Sequence, residues 1–334
     1  MIINSIKLTN FRNHDGYSLI CNPDTTLILG KNGCGKTSVL EAIYIATRGK
    51  SFRATDQDII KRGTSFYRIE LTNDAGELTT VTYDGKNKTY NIMNKKTRRL
   101  PKIHKYPVIL FQPSDLNLIS GSPSRHREYF DRFFSGLSEE YDNAISKYEK
   151  SLRQRNELLK SNNTNKAALF SWNILLAKYG TIIERYRRDF TEQINQHLTP
   201  TYLSIANNED TTKLVYQTTT SHNDENVYLN SLEMNYDKDI YLGHTTYGVH
   251  KDNFEFEFNH KIADGSASRG ETRSIIIALK FIESNMIYHQ IGKKPLILLD
   301  DVFSELDDTR RRCLVNNFKN HQVIITSVED FTPQ

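Results

Sequence analysis

Cysteine is scarce in this chain of 334 residues. Cys21, Cys34 and Cys313 are too scattered for a disulfide framework or a CxxC metal pair, so no structural zinc is expected and a reducing compartment is. No apolar run approaches the roughly 20 residues that span a bilayer. The opening MIINSIKLTNF also lacks the pattern of a cleavable leader. A cytoplasmic protein with no membrane partner is therefore expected. Internal repeats and low-complexity tracts are missing, as is a strong excess of one charge. The net charge of +4 is too mild to identify a nucleic-acid partner, so local clustering must carry that point. What is present is 37% hydrophobic and 25% charged residues, the mixture of a folded chain. The length exceeds one typical domain and predicts two lobes.

Along the chain, Ile2 to Leu8, Tyr17 to Ile20 and Thr25 to Leu29 read as strands, with a turn at Asn13 to Gly16. Lys36 to Ala46 carries Val39, Leu40, Ile43 and Tyr44 at the spacing of one helical face. Short β-like runs between about 66 and 110, among them Tyr67 to Leu71 and Val108 to Phe111, predict a twisted β-layer with turns at Asp74-Ala75-Gly76 and Asp84-Gly85. From Pro123 to Ile205 the period becomes helical. Tyr141, Ile145, Tyr148 and Leu152 mark one helix, and Trp172, Leu176, Tyr179, Ile183, Tyr186 and Phe190 a second. The polar stretch Ser161 to Lys166 between them suits the turn of an antiparallel hairpin too short for an extended coiled coil. Further on, Lys213 to Thr218, Asn253 to Phe258, Pro295 to Leu299 and Val323 to Thr326 read as strands and Arg273 to Ile287 as a buried helix.

The segment Gly30-Lys31-Asn32-Gly33-Cys34-Gly35-Lys36-Thr37-Ser38 satisfies GxxxxGK[ST] between an apolar strand and a helix, the context that a phosphate-binding loop requires. Its glycines let backbone N–H groups close on phosphate oxygens, and the helix N-terminus adds a favourable dipole. Lys36 is expected to reach the β- and γ-phosphates of ATP and Thr37 to hold Mg²⁺. Pro295 to Asp301 is an apolar strand ending in two carboxylates. Asp300 is expected to hold the Mg²⁺ and Asp301 to orient or deprotonate the attacking water. Many ATPases of the ABC type carry Glu at that second position, so the shorter Asp301 predicts slow hydrolysis. Ala267-Ser268-Arg269-Gly270-Glu271 opens a helix and has the Ser-x-Gly-[Gln/Glu] form of an ABC signature loop, which meets the γ-phosphate of a second protomer. Asp307, in Ser304-Glu305-Leu306-Asp307, is a D-loop candidate, and Gln112 a Q-loop candidate. Lys95, Lys96, Arg98, Arg99, Lys102 and Lys105 form a basic run. Lys150, Arg153, Arg155 and Lys160 add charge on the helical segment, and all are candidates for neutralising DNA phosphates. Arg125 and Arg127 are candidates for contacting nucleotide or capping the arm, and His250 for a structural role.

At this point the sequence resembles the RecF family along nearly its whole length. The resemblance rests on Glu41-Ala42-Ile43-Tyr44 and Gly49-Lys50-Ser51-Phe52-Arg53 after the P-loop, and on Phe111 to Leu116 and Gly121 to Asp131 in mid-chain. Tyr148 to Lys160 with Trp172, Gly248 to Asn253, and Leu299 to Asp307 complete it. Departures are Val249 for Pro, Lys251 for Arg, Asn253 for Asp, Arg269 and Glu271 where the family often has Gln, and an expected short C-terminal tail. The resemblance implies an α/β fold: an ABC-type P-loop ATPase head (lobe I, residues 1–112 and 206–334) with an inserted antiparallel helical arm (lobe II, residues 113–205). It further implies an ATP-dependent homodimer that binds double-stranded and gapped DNA and works with RecR-like and RecO-like mediators to load a recombinase.

A transporter ATPase subunit would share the P-loop, signature and strand-end carboxylates. The helical hairpin and the lack of a switch histidine after Val323 to Ile325 count against it. An SMC-like structural ATPase would need a far longer arm, and a small-molecule kinase would need no signature loop.

Overall fold

The computed structural model of the chain describes residues 1–161, 166–206, 208–220 and 224–328. It divides into two compact units, Met1–Asp115 with Glu283–Gln334, and Leu116–Ile282.

The first unit begins with β1 (Ile3–Phe11), β2 (His14–Ile20) and β3 (Thr25–Leu29), followed by α1 (Lys36–Arg48) and a short α2 (Asp56–Ile59). The turn after β1 is tighter than Asn13 to Gly16. Phe11 already pairs with His14, and Arg12 takes a left-handed backbone with φ 57°. Next come β4 (Tyr67–Asn73), β5 (Leu78–Tyr83), β6 (Lys88–Ile92), β7 (Lys95–Thr97) and β8 (Val108–Phe111). Strands β2-β1-β4-β5-β6-β7 form one antiparallel sheet. The expected β-layer is thus real, but Val108 to Phe111 does not belong to it. A short run buried on its inner positions does not reveal which sheet it will join.

In the second unit, α3 (Pro123–Leu137) precedes α4 (Glu139–Leu159) and α5 (Lys166–Ala206). Contacts of Glu140 with Arg185 and Tyr186, and of Arg155 with Asn173, run in opposite chain order, so α4 and α5 pack antiparallel. At 41 residues α5 is about 60 Å long, well beyond the Trp172 to Phe190 segment predicted. Its buried stripe also differs, because it takes in Asn173, Glu184 and Arg187 alongside Leu176, Ile183 and Phe190. Of the predicted connection Ser161 to Lys166, residues 162–165 lie outside the described residues. Then follow β9 (Thr212–Gln217), α6 (Glu225–Met234), α7 (Tyr236–Leu242), β10 (Asn253–Phe258), β11 (Lys261–Ile262), the turn-like α8 (Ala263–Ser266) and α9 (Arg269–Ile291). Strands β11-β10-β9 make a small antiparallel sheet. The C-terminal half of α5 packs on it, with Asn195 and Thr199 bonding the backbone of Leu214 and Thr212. Residues 206–282, predicted with the head, therefore group in this structure with α3, α4 and α5.

The chain completes the first unit with β12 (Leu296–Asp300), α10 (Asp308–Asn317) and β13 (Val323–Ser327). Strands β3-β13-β12-β8 form an all-parallel sheet. Helix α1 has eleven of its residues buried and packs with side chains of both sheets, including Ile6, Ile69, Leu298 and Ile324. Buried on nearly every face, α1 sits in the core, with its N-terminus at the carboxyl edge of the parallel strands. Residues 329–334, where a short tail was expected, lie outside the described residues. Among the described residues no helix is long and apolar enough to cross a membrane.

Candidate functional site

A parallel sheet presents its loops at the carboxyl ends of its strands. There β3 runs into Gly30 to Gly35, and β12 ends at Asp300 beside β13. Gly33 and Gly35 have φ of 83° and 103°, a left-handed backbone that glycine alone adopts freely. At Gly35 a Cβ would stand 2.4 Å from His14 Nε2 and 2.7 Å from Asn13 Oδ1, so a larger residue would also push both side chains aside. The β1–β2 turn thus braces the loop: Asn13 Nδ2 donates to the Gly33 carbonyl, and His14 Nε2 lies 3.2 Å from the Gly35 carbonyl. Nothing in the spacing of Asn13 and His14 announced this.

The two halves of the predicted site meet. Thr37 Oγ1 donates to Asp300 Oδ1 at 2.7 Å, and Thr326 Oγ1 donates to the same oxygen at 2.9 Å. Lys36 is buried and donates from Nζ to the carbonyls of Gly30 and Lys31, at 2.7 and 3.3 Å. Its Nζ also stands 3.7 Å from Asp301 Oδ2. Asp301 has φ 51°, held by its N–H donating to Thr326 Oγ1, and its Oδ1 is buried without a hydrogen-bond partner. Burial raises the Asp301 carboxyl above the ordinary carboxylate range, the Asp300 charge adds to the rise, and Lys36 opposes it. A raised carboxylate is a better proton acceptor.

Behind the loop, the buried Glu41 of α1 gathers two arginines. Arg12 binds it through Nε and Nη2, Arg53 does the same, and Ser51 Oγ donates at 2.6 Å. Burial works to raise the Glu41 carboxyl, but these hydrogen bonds outweigh it and hold the group below its usual range. Arg53 Nη2 also reaches Ser38 Oγ at 3.4 Å. Glu41, Ser51 and Arg53, drawn from two of the segments on which the family resemblance rests, are thereby parts of one cluster.

The remaining candidates fall as follows. Gln112 follows the last residue of β8, at the same sheet edge as Asp300. Asp307 caps α10 by accepting from the Arg310 N–H. Ser268 and Glu271, in the other unit, form a reciprocal cap on α9. The Ser268 N–H donates to Glu271 Oε2 at 2.6 Å, and the Glu271 N–H donates to Ser268 Oγ at 3.3 Å. Arg269 is exposed. Lys95 and Lys96 sit on β7, the edge strand of the antiparallel sheet, and with Arg98, Arg99, Lys102 and Lys105 they are exposed. Lys150, Arg153 and Lys160 are exposed on or just after α4. Arg155 is not available as a surface charge. It is fully buried, paired with Asp239 at 2.7 Å and bonded to Asn173 and Thr245. Arg127 donates to the Asp252 carbonyl. Burial pushes His250 down to about 4, so it is neutral at pH 7. Its Nε2 faces the Thr245 carbonyl and therefore carries the proton, which leaves Nδ1 to accept from Tyr148 Oη at 2.8 Å.

The family model described as RecF/RecN/SMC N terminal domain matches residues 2–332. The chain is similar to the DNA replication and repair protein RecF of Clostridioides difficile, at 32% identity over 98% of this chain and 92% of that one. It is also similar to the protein of that name from Natranaerobius thermophilus, at 33% identity over 99% and 92%. A solved structure of the recombination mediator protein RecF-ATPrS in the RecFOR pathway matches with a TM-score of 0.89 and 26% identity, covering 98% of this chain and 92% of that one. One of RecF-ATP matches with a TM-score of 0.88 and 25% identity over 100% and 93%.

Proposed function

Because the chain belongs to the RecF family, within the RecF/RecN/SMC N-terminal domain class, we propose that it is an ABC-type ATPase of recombinational repair. ATP pairs two copies, the pair binds duplex DNA beside single-stranded gaps, and RecR-like and RecO-like partners join it in loading a recombinase in the cytoplasm. One observation carries the reading: Thr37 and Asp300, 263 residues apart in sequence, meet at 2.7 Å beside a buried lysine at the N-terminus of a core helix.

Lys36 exchanges its loop carbonyls for β- and γ-phosphate oxygens, and the loop N–H groups of Gly33 to Ser38 cradle the rest. The oxygens of Thr37 and Asp300 fit a hard divalent cation, and Mg²⁺ bound there neutralises phosphate charge. Asp301 holds the attacking water and accepts its proton. An aspartate is one methylene shorter than the glutamate common at this position, so hydrolysis is slow and ATP serves chiefly to hold two chains together. Ser268 and the Gly270 N–H, at the start of α9, meet the γ-phosphate carried by the second copy. The exposed basic run at the β7 edge and the lysines of α4 neutralise phosphates without reading bases.

Two outcomes follow. Asp301→Asn keeps the side-chain volume but removes the proton acceptor. The variant should bind ATP, hydrolyse it at least about a hundred-fold more slowly, and remain dimeric in light scattering with ATP and Mg²⁺. A monomeric variant under those conditions would defeat the sandwich. In a salt-titrated anisotropy assay, gapped duplex should bind more tightly than plain duplex, and single strand most weakly, with ATP strengthening the first two. Affinity should fall steeply with salt. Equal, ATP-independent affinity for all three substrates would remove the repair role.

A further inference from the structure

Among the described residues eighteen large apolar side chains are exposed, and five of them, Val227, Met234, Ile240, Tyr241 and Leu242, lie on α6 and α7. A stretch of that length would hold about one if they were spread evenly, so the clustering asks for a cause. Helix α7 is also turned inside out. Its buried residue is Asp239, at 0% exposure, while Tyr241 is 88% exposed and Leu242 45%. Asp239 is anchored by the Arg155 guanidinium at 2.7 Å and by the N–H and hydroxyl of Thr246. Desolvating an ion pair is costly, and leaving three apolar side chains in water forfeits their burial. Folding alone would favour the opposite orientation.

Arg155 also bonds Asn173 of α5, and on either side of Asn173 in sequence Phe170 and Ile174 are 43% and 40% exposed. Monomers seldom expose apolar area of this kind with a polar rim unless something docks on it. Tyrosine and methionine are the side chains that interface centres favour.

The rim says what docks. Asp224, Glu225, Glu233 and Asp237 are exposed on or just before these helices against Lys238 and, beside Gly243 at the end of α7, Lys160, so the rim is net acidic in a chain that is basic as a whole. That charge repels DNA phosphates and anionic lipid. A second copy seated face to face would set carboxylates against carboxylates. We propose that the outer face of α6 and α7 is a docking site for a different protein, through a surface with an apolar centre and lysine or arginine around it. The site is independent of the nucleotide reading, since none of its residues belongs to the phosphate loop or the strand-end carboxylates.

The test uses the full chain and a fluorescent amphipathic helix of about 18 residues, five turns, with leucine on one face and lysine on the other. A twin peptide carries glutamate for lysine. The lysine peptide should bind saturably and the glutamate peptide at least about ten-fold more weakly. Tyr241→Asp adds negative charge, so a purely electrostatic attraction would strengthen. Loss of the apolar anchor should instead weaken the lysine peptide by about ten-fold or more. Glu233→Lys should weaken it too, while melting temperature, ATP hydrolysis and DNA affinity stay as in the wild type. Equal binding by wild type and Tyr241→Asp, or no saturable binding, overturns the proposal. So does finding that Tyr241→Asp instead removes affinity for duplex DNA, for phosphatidylglycerol vesicles or for a second copy.

Discussion

Lys36→Ala should weaken ATP binding by about a hundred-fold or more. In the proposed site the ammonium would make hydrogen bonds to charged oxygens worth about 1.5–3 kcal/mol each, and contacts to both the β- and γ-phosphates would be lost together. With 1.4 kcal/mol per factor of ten, two such contacts give roughly two to four decades. In the structure the same Nζ satisfies the Gly30 and Lys31 carbonyls, so the variant also loosens the loop. Fluorescent ATP titration of the monomer, with circular dichroism to confirm folding, reads the effect directly. A folded variant within about three-fold of wild-type affinity would show that the phosphates lie elsewhere.

Arg187→Leu should be the most damaging substitution outside the nucleotide site. Arg187 is 1% exposed in its side chain and binds both carboxylate oxygens of Asp131 at 2.9 and 3.0 Å. It also donates to the Val249 carbonyl at 2.7 Å and to Asp252 Oδ2 at 3.1 Å. Tyr141 donates to Asp131, and Tyr216 to Asp252, which joins α3, α4, α5, β9 and the segment before β10 into one polar core. Removing one partner of a buried ion pair costs about 3–5 kcal/mol because the other charge is stranded, and here two are stranded. Burial already raises the Asp252 carboxyl, and Arg187 is the strongest influence pulling it back. Without that cation the folded-state value climbs further above the unfolded one. The penalty from Asp252 then grows as pH rises from the unfolded value towards the folded one. The gap between wild type and variant should therefore narrow from pH 7 to pH 5. Thermal and urea unfolding at both pH values, with monomer ATP binding as the readout of the first unit, measure this. A variant within about 0.5 kcal/mol of wild type would reduce the network to a bystander.

The P-loop, the strand-end carboxylates and the helical arm were legible in the sequence because their signals are local. Three glycines, a lysine and a threonine between a strand and a helix describe a phosphate cradle without reference to anything distant. The periods of α4 and α5 needed only their own residues. That Ala267 to Glu271 opens a helix was equally plain.

What was misread depended on partners far along the chain. Arg155 looks like a solvated charge on an amphipathic helix, because its burial depends on Asp239, which lies 84 residues away. Counting apolar residues picks out Tyr186 and skips Arg187, whose charge is met by Asp131 and Asp252. Val108 to Phe111 resembled its antiparallel neighbours in sequence, since the pairing that distinguishes a parallel strand is made by Leu296 to Leu299.

The sequence by itself determined what short spacing encodes: a glycine-rich loop between a strand and a helix, two acidic residues at a strand end, a turn that opens α9 and an α/β chain with long helices in its middle. Only the tertiary structure decided that Asn13 and His14 brace the loop, that two arginines share Glu41, and which charges are buried. The reason is physical. Backbone preference and side-chain period act over a few residues, whereas burial, and with it the strength of every charge, is set by whatever the fold brings alongside.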